Sequence, residues 1–500
     1  MILSGTGKAM LLKDRFELPV TCATAAAVED YGAGVDLLLS AWPGAEARLD
    51  RALAADPDFA LAHIARARLL QLRLKMPDAK KAAARAQSLA NRLTARERRH
   101  IEVIVLSING AASDALAMVR AHASEYPRDA LPLSLALGVF GLLGFSGRRD
   151  HHEAQLALLE ELAPQWGDDW WFLGYLGWAY IETGEVAKGT RLVERSLARN
   201  LRNAHAAHQR VHGFFEAGDA AGGAGFVEDW LKGYDRAGHL HCHLSWHLAL
   251  FELARGNAER SRTIYLDDIR PSAAQAAPML VLADSTSFLW RWRFYGAGPS
   301  LDQEWAEVAA YAQRHFPRAG LAFADLHAAL AEAATGNDDG LSSRIAGLQS
   351  LARDGRLPPG EVAPALCAGA AALGRGDNAV AAQILEPALC DLARIGGSHA
   401  QREIFEDSLI VAYMHSGQSA KAAPLLRSRL SRRPSTRDEA WLALCIANGT
   451  EGSPLGRDLH CTHSRADRRA KDAGEQDRQD AGKKDSVKRP GTADRGDRRA

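Results

Sequence analysis

The chain has 500 residues, with 61 basic and 61 acidic side chains and no net charge. No long-range field therefore directs it to nucleic acid or to an acidic partner. Apolar residues make up 47% and charged residues 24%, the balance of a globular protein with a large core. No apolar run reaches the roughly 18 residues that would span a membrane.

Six scattered cysteines without a C-x-x-C pair read as free thiols in a reducing compartment. The start, MILSGTGKAMLLKDRFELPV, lacks the apolar core of a signal peptide. A cytoplasmic location is expected.

Residues 1–20 read as a weakly ordered start. GTGK at 5–8 is not a phosphate loop, because Ile2 holds the place of the first glycine and Ala9 follows Lys8 where Ser or Thr is needed. From about 21 the pattern is helix, short turn, helix. Ala, Leu and Arg dominate, and alternating runs of Val, Ile and Thr are missing, so strands are not expected. Ala45, Leu49 and Ala52 stack on one helix face, with Pro57 five residues on. This is similar to the second helix of a tetratricopeptide repeat, where small side chains let paired helices approach and proline stops the helix. Leu176, Gly177 and Tyr180 match the L-G-x-x-Y of the first helix of such a repeat.

A glycine followed by a polar residue recurs at Gly184, Gly218, Gly256, Gly336, Gly376 and Gly417, at spacings of 34, 38, 80, 40 and 41 residues, and Gly110 is a candidate earlier member. Glycine ends a helix cheaply in the left-handed region, and such a period marks an array of helical hairpins, about ten or eleven of them from 21 to 446. The expected fold is all-α: a tetratricopeptide-repeat-like, right-handed superhelix of stacked antiparallel helix pairs. Pro271 and Pro278 interrupt the rhythm, so 267–300 reads as an irregular unit ending in a Trp-rich helix. Residues 447–500 are charged, rich in glycine and almost without aliphatic side chains. They read as a disordered tail.

Seven of the eighteen histidines fall between 203 and 256. His208 and His212 are four apart, as are His243 and His247, so each pair occupies one face of a helix. The pairs are separated by a constant 35 residues, the register expected if neighbouring repeats present them to a shared wall.

With these stretches assembled, the chain resembles the tetratricopeptide repeat protein 38 family over about 11–446. The residues that carry the likeness are LKDRFELPVT, YGAGVDLLLSAWPGAEARLDRALAADPDFALAH, GDDWWFLGY at 167–175, His208-x-x-x-His212 and His243-x-x-Trp246-His247. The resemblance implies an α-helical array and brings no established activity.

Three readings of the histidines stand side by side. They pack between helices. They line a ligand or peptide groove, with Asp168, Asp169, Trp170, Trp171, His208, His212, His243, Trp246 and His247 as its contacts. Or His208, His212, His243 and His247 hold a transition metal such as zinc, with Glu216, Asp168 or Asp169 adding a carboxylate. Trp170 and Trp171 diverge by about 100° on a helix, so one of them should line a groove or meet the Trp-rich helix of the 290s, with core packing the default for the tryptophans. HHEAQ at 151–155 is not a zincin motif and GFSGR at 144–148 is not a nucleophile elbow. The expected function is a cytoplasmic scaffold binding a protein segment or small ligand in its concave groove, without a cofactor. The alternative is a metal-dependent, hydrolase-like enzyme. No nucleic-acid or membrane partner is expected.

Overall fold

The computed structural model describes residues 10–449. Ten helical hairpins follow one another: α1 (Ala25–Leu39) with α2 (Ala45–Ala55), α3 (Ala60–Leu72) with α4 (Met76–Ser88), and α5 (Ala95–Ile108) with α6 (Ala112–Glu125). A short α7 (Ala130–Ser134) and α8 (His151–Leu162) break the pairing. It resumes with α9 (Trp170–Glu182) and α10 (Val186–Arg199), α11 (Ala204–Ala217) and α12 (Ala220–Leu231), and α13 (His241–Ala254) and α14 (Ala258–Ile264). Then come α15 (Pro278–Tyr295) and α16 (Asp302–His315), α17 (Ala322–Ala334) and α18 (Asp338–Arg353), α19 (Val362–Gly374) and α20 (Asn378–Leu389), and α21 (His399–His415) and α22 (Ser419–Arg432), closed by α23 (Thr436–Gly449). The architecture is an all-α, tetratricopeptide-like array. No helix among the described residues is long and apolar enough to cross a membrane.

The turn glycines explain the repeat. Gly184, Gly218, Gly256, Gly336, Gly376 and Gly417 all have φ between +68° and +93°, and Gly110 joins them at +80°. A side chain at that φ would be strained, and the left-handed residue lets the chain reverse into the second helix. In the region 267–300, α14 runs into a π-helical turn, Tyr265–Ile269, before α15 begins at Pro278. Of the tail expected over 447–500, residues 447–449 belong to α23 and the rest lies outside the described residues.

The expectation for the start of the chain is corrected. Strands are present: β1 (Met10–Lys13) and β2 (Pro19–Cys22) pair antiparallel, with Met10 opposite Cys22 and Lys13 opposite Pro19. The start is therefore ordered from residue 10 rather than from 21. Its turn is built by Asp14, whose carboxylate accepts the N–H groups of Phe16 and Leu18 at 2.8 and 3.0 Å. The hairpin is then pinned from a distance: Thr21 donates to Glu97 through its N–H and hydroxyl, and Arg96 donates to the Pro19 carbonyl. Strands of four residues are too short to show alternation, and these depend on tertiary partners. Of the thiols expected to be free, Cys22, Cys242, Cys367 and Cys445 are free and buried.

The array is not an open groove on its inner side. Helix α21 lies against helices far from it in sequence. The His399 N–H donates to Glu182 of α9 at 3.1 Å, and its ring is 3.3 Å from Glu216 of α11. Arg402 reaches His152 of α8 at 3.2 Å. From the other direction, Trp290 of α15 donates to Ser408 at 3.0 Å, and Arg291 to the Ala400 carbonyl at 2.6 Å. A buried cation, Arg429, fastens α21 to α22 and α23 through Asp407 (2.6 Å), Glu403 (3.2 Å) and Asp438 (2.9 Å). Helix α21 therefore covers the end of α9 at Glu182 and of α11 at Glu216.

Close backbone approach sets the position of α9. A Cβ on Gly189 would lie 2.3 Å from the Gly177 carbonyl oxygen, and one on Gly177 would lie 2.7 Å from that of Gly189. Backbone cannot yield as a side chain can, so α9 and α10 would have to part. Gly189→Ala is expected to cost about 1–3 kcal/mol in urea unfolding. Gly225→Ala, in α12 with nothing within 4 Å of the added Cβ, should be neutral or gain up to about 1 kcal/mol.

Candidate metal centre

Helix α11 begins at Asn203, whose side chain accepts the Ala206 N–H, and ends at the left-handed Gly218. Helix α13 packs beside it. The four-residue spacing puts His208 over His212 and His243 over His247, with ring centroids 4.6 and 4.9 Å apart. Across the two helices His208 lies 4.7 Å from His243 and 5.2 Å from His247, and His212 lies 4.9 Å from His247. The four rings converge. One nitrogen from each lies within 4.8 Å of the others, and all four residues are buried. His208, at 7% exposure, is the least enclosed. Ligands 2.0–2.1 Å from a tetrahedral ion are roughly 3.3 Å from one another, so the rings would close on one by moving about 1 Å each.

Two carboxylates stand behind the rings. Asp284 of α15 faces Nδ1 of His243 at 2.9 and 3.0 Å. Glu182, the last residue of α9, has Oε1 2.9 Å from Nδ1 of His212, close but off the line of a good hydrogen bond. A carboxylate only accepts, so each of these Nδ1 atoms is the donor nitrogen and each Nε2 is the atom turned toward the other rings. Nε2 of His212 is 3.0 Å from Nε2 of His208. Either His208 donates there, or both lone pairs face a cation. Nε2 of His247 is buried with no hydrogen-bond partner. Burial, reinforced by the neighbouring rings, holds His208 and His247 well below the usual histidine range, so both offer lone pairs at neutral pH. Burial alone would raise Glu182, but His399, His212 and His152 around it outweigh that and hold it well below the usual carboxylate range. Burial raises Asp284, with His243 pulling the other way. The two carboxyl groups supply the charge that a buried dication among neutral rings requires.

The other groove residues are elsewhere. Asp169 caps α9, accepting the N–H groups of Trp171 and Phe172, and pairs with Arg15 at 2.7 Å. Asp168 is half-exposed and pairs with Arg195 and with Arg199 at 2.9 Å. Trp170 is partly buried under the Arg15 guanidinium, 5.2 Å from its ring. Trp171 is buried against Trp166 and Tyr175. These four begin α9, while Glu182 ends it roughly 17 Å away by helix rise, so none can add a carboxylate or a contact to the histidines. Trp246 is fully buried, stacked on His243 at 5.1 Å with the Arg291 guanidinium 5.5 Å from its ring. The groove reading is corrected for both Trp171 and Trp246, which are walls of the core. Glu216 pairs with His399 instead of joining the four rings.

Sequence reasoning missed Glu182, Asp284, His152 and His399. The available signal was a lone acid in an otherwise apolar helix: Glu182 ends WWFLGYLGWAYIE, and Asp284 interrupts PMLVLADSTSFLW. Such a residue needs a buried partner.

No family model matches the chain. Among solved structures, the chain is similar to a complex of Naa15/Naa10 bound to HypK-THB (10% identity, 92% of this chain and 73% of that one, TM-score 0.20). It is also similar to the P58(IPK) TPR domain (16%, 79% and 100%, TM-score 0.20) and to yeast Tom70 (12%, 85% and 88%, TM-score 0.28). The superpositions are loose, and the fold described above rests on its own helices and turns.

Burial also sets a pH dependence. It pushes His205 down to about 3, and His239 and His327 to about 4. The unfolded chain takes up these protons near pH 6.5 and the folded one does not, so their contribution is complete above about 6.5 and is lost as pH falls below it. Each costs about 1.4 kcal/mol per pH unit inside that window. The urea midpoint is expected to be level from pH 8 to 7 and to fall steeply from pH 6.5 to 4.5; a level profile across the lower range contradicts the assignment.

Proposed function

We propose that this protein is a helical-repeat scaffold that binds a transition metal ion, zinc being the simplest candidate, among His208, His212, His243 and His247. The observation that carries the reading is the convergence of four buried imidazoles, two of them backed by buried carboxylates. Imidazole suits zinc, copper, iron or nickel, and four protein ligands make a closed site of the structural kind. The ion joins α11 to α13 directly and reaches α9 and α15 through Glu182 and Asp284. It would hold hairpins in register that otherwise touch through neutral rings.

The scaffold role follows from the repeat architecture, with a protein segment or small ligand as the partner. Because Trp171, Trp246 and His212 are enclosed, that partner meets surface outside the metal site.

A metal-dependent hydrolase is the second reading, favoured by one observation. His208 is the most exposed of the four rings and no carboxylate is assigned behind it, so its release would open a position for water.

Elemental analysis of the purified full chain tests the proposal. About one equivalent of transition metal is expected, lost in a His208→Ala/His243→Ala variant and kept in His205→Ala. Removal of the ion by a chelator should cost about 4 kcal/mol of stability when the free metal stood at 1,000 times its Kd. Metal-free protein whose stability does not respond to added zinc, copper, iron or nickel overturns the reading. Hydrolysis of an activated ester by the loaded protein, absent from the metal-free form, would favour the second reading.

A further inference from the structure

A second group of ligand-bearing side chains lies on the far side of Glu182. Its other oxygen, Oε2, is 3.5 Å from Nε2 of His152 (α8) and 4.0 Å from Nδ1 of His399 (α21), and Oε1 of Glu216 (α11) is 3.3 Å from that same Nδ1. The ligand atoms of His152, Glu182 and His399 lie within 4.8 Å of one another. We propose that these three residues, completed by Glu216, form a second transition-metal site that adjoins the tetra-histidine site through Glu182.

The spacing carries the argument. A charge-assisted hydrogen bond would draw these groups to about 2.7–2.9 Å. The two Glu182 contacts stand instead at 3.5 and 4.0 Å, wider than the roughly 3.3 Å edge of a tetrahedron of ligands, so the three groups would close on an ion by moving inward, while Glu216 is hydrogen-bonded to the His399 ring at 3.3 Å. Three segments distant in sequence, α8, α9 and α21, each send one side chain to this point, and α11 brings Glu216 to the His399 ring.

The donor set differs from that of the first site. Two imidazole nitrogens and two carboxylate oxygens suit zinc, ferrous iron or manganese, whereas four nitrogens favour the softer ions. The second site is also less enclosed: the His399 side chain is 34% exposed and that of Glu216 14%. Water can therefore complete the coordination.

One charge opposes an ion here. Arg402 is 3.2 Å from Nε2 of His152 and 3.4 Å from Nε2 of His151, and it also donates to the carbonyls of Gly396 and Gly397. Two carboxylates outweigh one guanidinium, but a metal must displace it from the single His152 Nε2 lone pair. The second site is accordingly the weaker. Both ions also draw on Glu182, so they fill in sequence rather than together.

The inference does not rest on the first site, and one experiment separates them. Metal-free full-length protein is titrated with Co²⁺, and bound metal and the visible absorption are measured for the wild type and for His399→Ala/Glu216→Gln. These positions are partly exposed, and circular dichroism checks that the variant is folded. The expected result is two ions per wild-type chain, the second at least tenfold weaker, with only the tighter one kept by the variant. A single wild-type ion lost in the variant also supports the inference and overturns the tetra-histidine reading. A single ion unchanged in the variant overturns the second site and leaves the first. Two ions in both proteins place the weaker ion elsewhere and overturn it, and no bound ion overturns both.

Discussion

The structure depends on one buried carboxylate. Glu182 ends α9 with its side chain enclosed on all sides, where an isolated charge would be prohibitively costly. It stays charged because its two oxygens are divided between two sets of partners: Oε1 faces His212, while Oε2 accepts the His399 N–H and faces His152. Three helices from separate parts of the chain are thereby committed to one point. A helical-repeat array ordinarily makes contacts only between neighbouring units. Here a charge that cannot be left unpaired draws α8, α11 and α21 onto α9.

That closure changes what the array can do. In an open solenoid the first helices of successive pairs would line a wall available to a partner. In this chain α21 occupies that side, tied through Arg402 to α8 and through Trp290 and Arg291 of α15 from the opposite direction. The result is a buried interior that is polar, rich in histidine and bounded by packed tryptophans. Four imidazole rings converge in it, and a buried carboxylate stands behind two of them.

The glycines supply the complementary constraint. Close approach of α9 and α10 at Gly177 and Gly189 fixes the axis along which Glu182 projects, and the left-handed turn at Gly218 sets where α11 stops and how its histidines lie beside α13. The electrostatics at the centre therefore rest on backbone geometry at the hairpin turns, and a change at either level reaches the other.

Periodicity was legible in the sequence because it is local. Glycine at a left-handed turn is a property of a few consecutive residues, and 34 to 41 of them make one hairpin, so the all-α array and the pairing of His208 with His212 and of His243 with His247 could be read directly. That the two pairs share a wall followed from their 35-residue offset. The carboxylates could not be read this way. Glu182 and Asp284 are placed by the packing of whole helices, and His152 and His399, 247 residues apart, meet only because the array closes on α21. Trp171 and Trp246 are likewise out of reach of a partner, the first under Trp166 and Tyr175 and the second under His243, since exposure is decided by what packs on top of a helix face and not by the face itself. The N-terminal hairpin makes the point again at small scale: its strands carry too little pattern of their own and owe their order to Arg96 and Glu97, nearly eighty residues away.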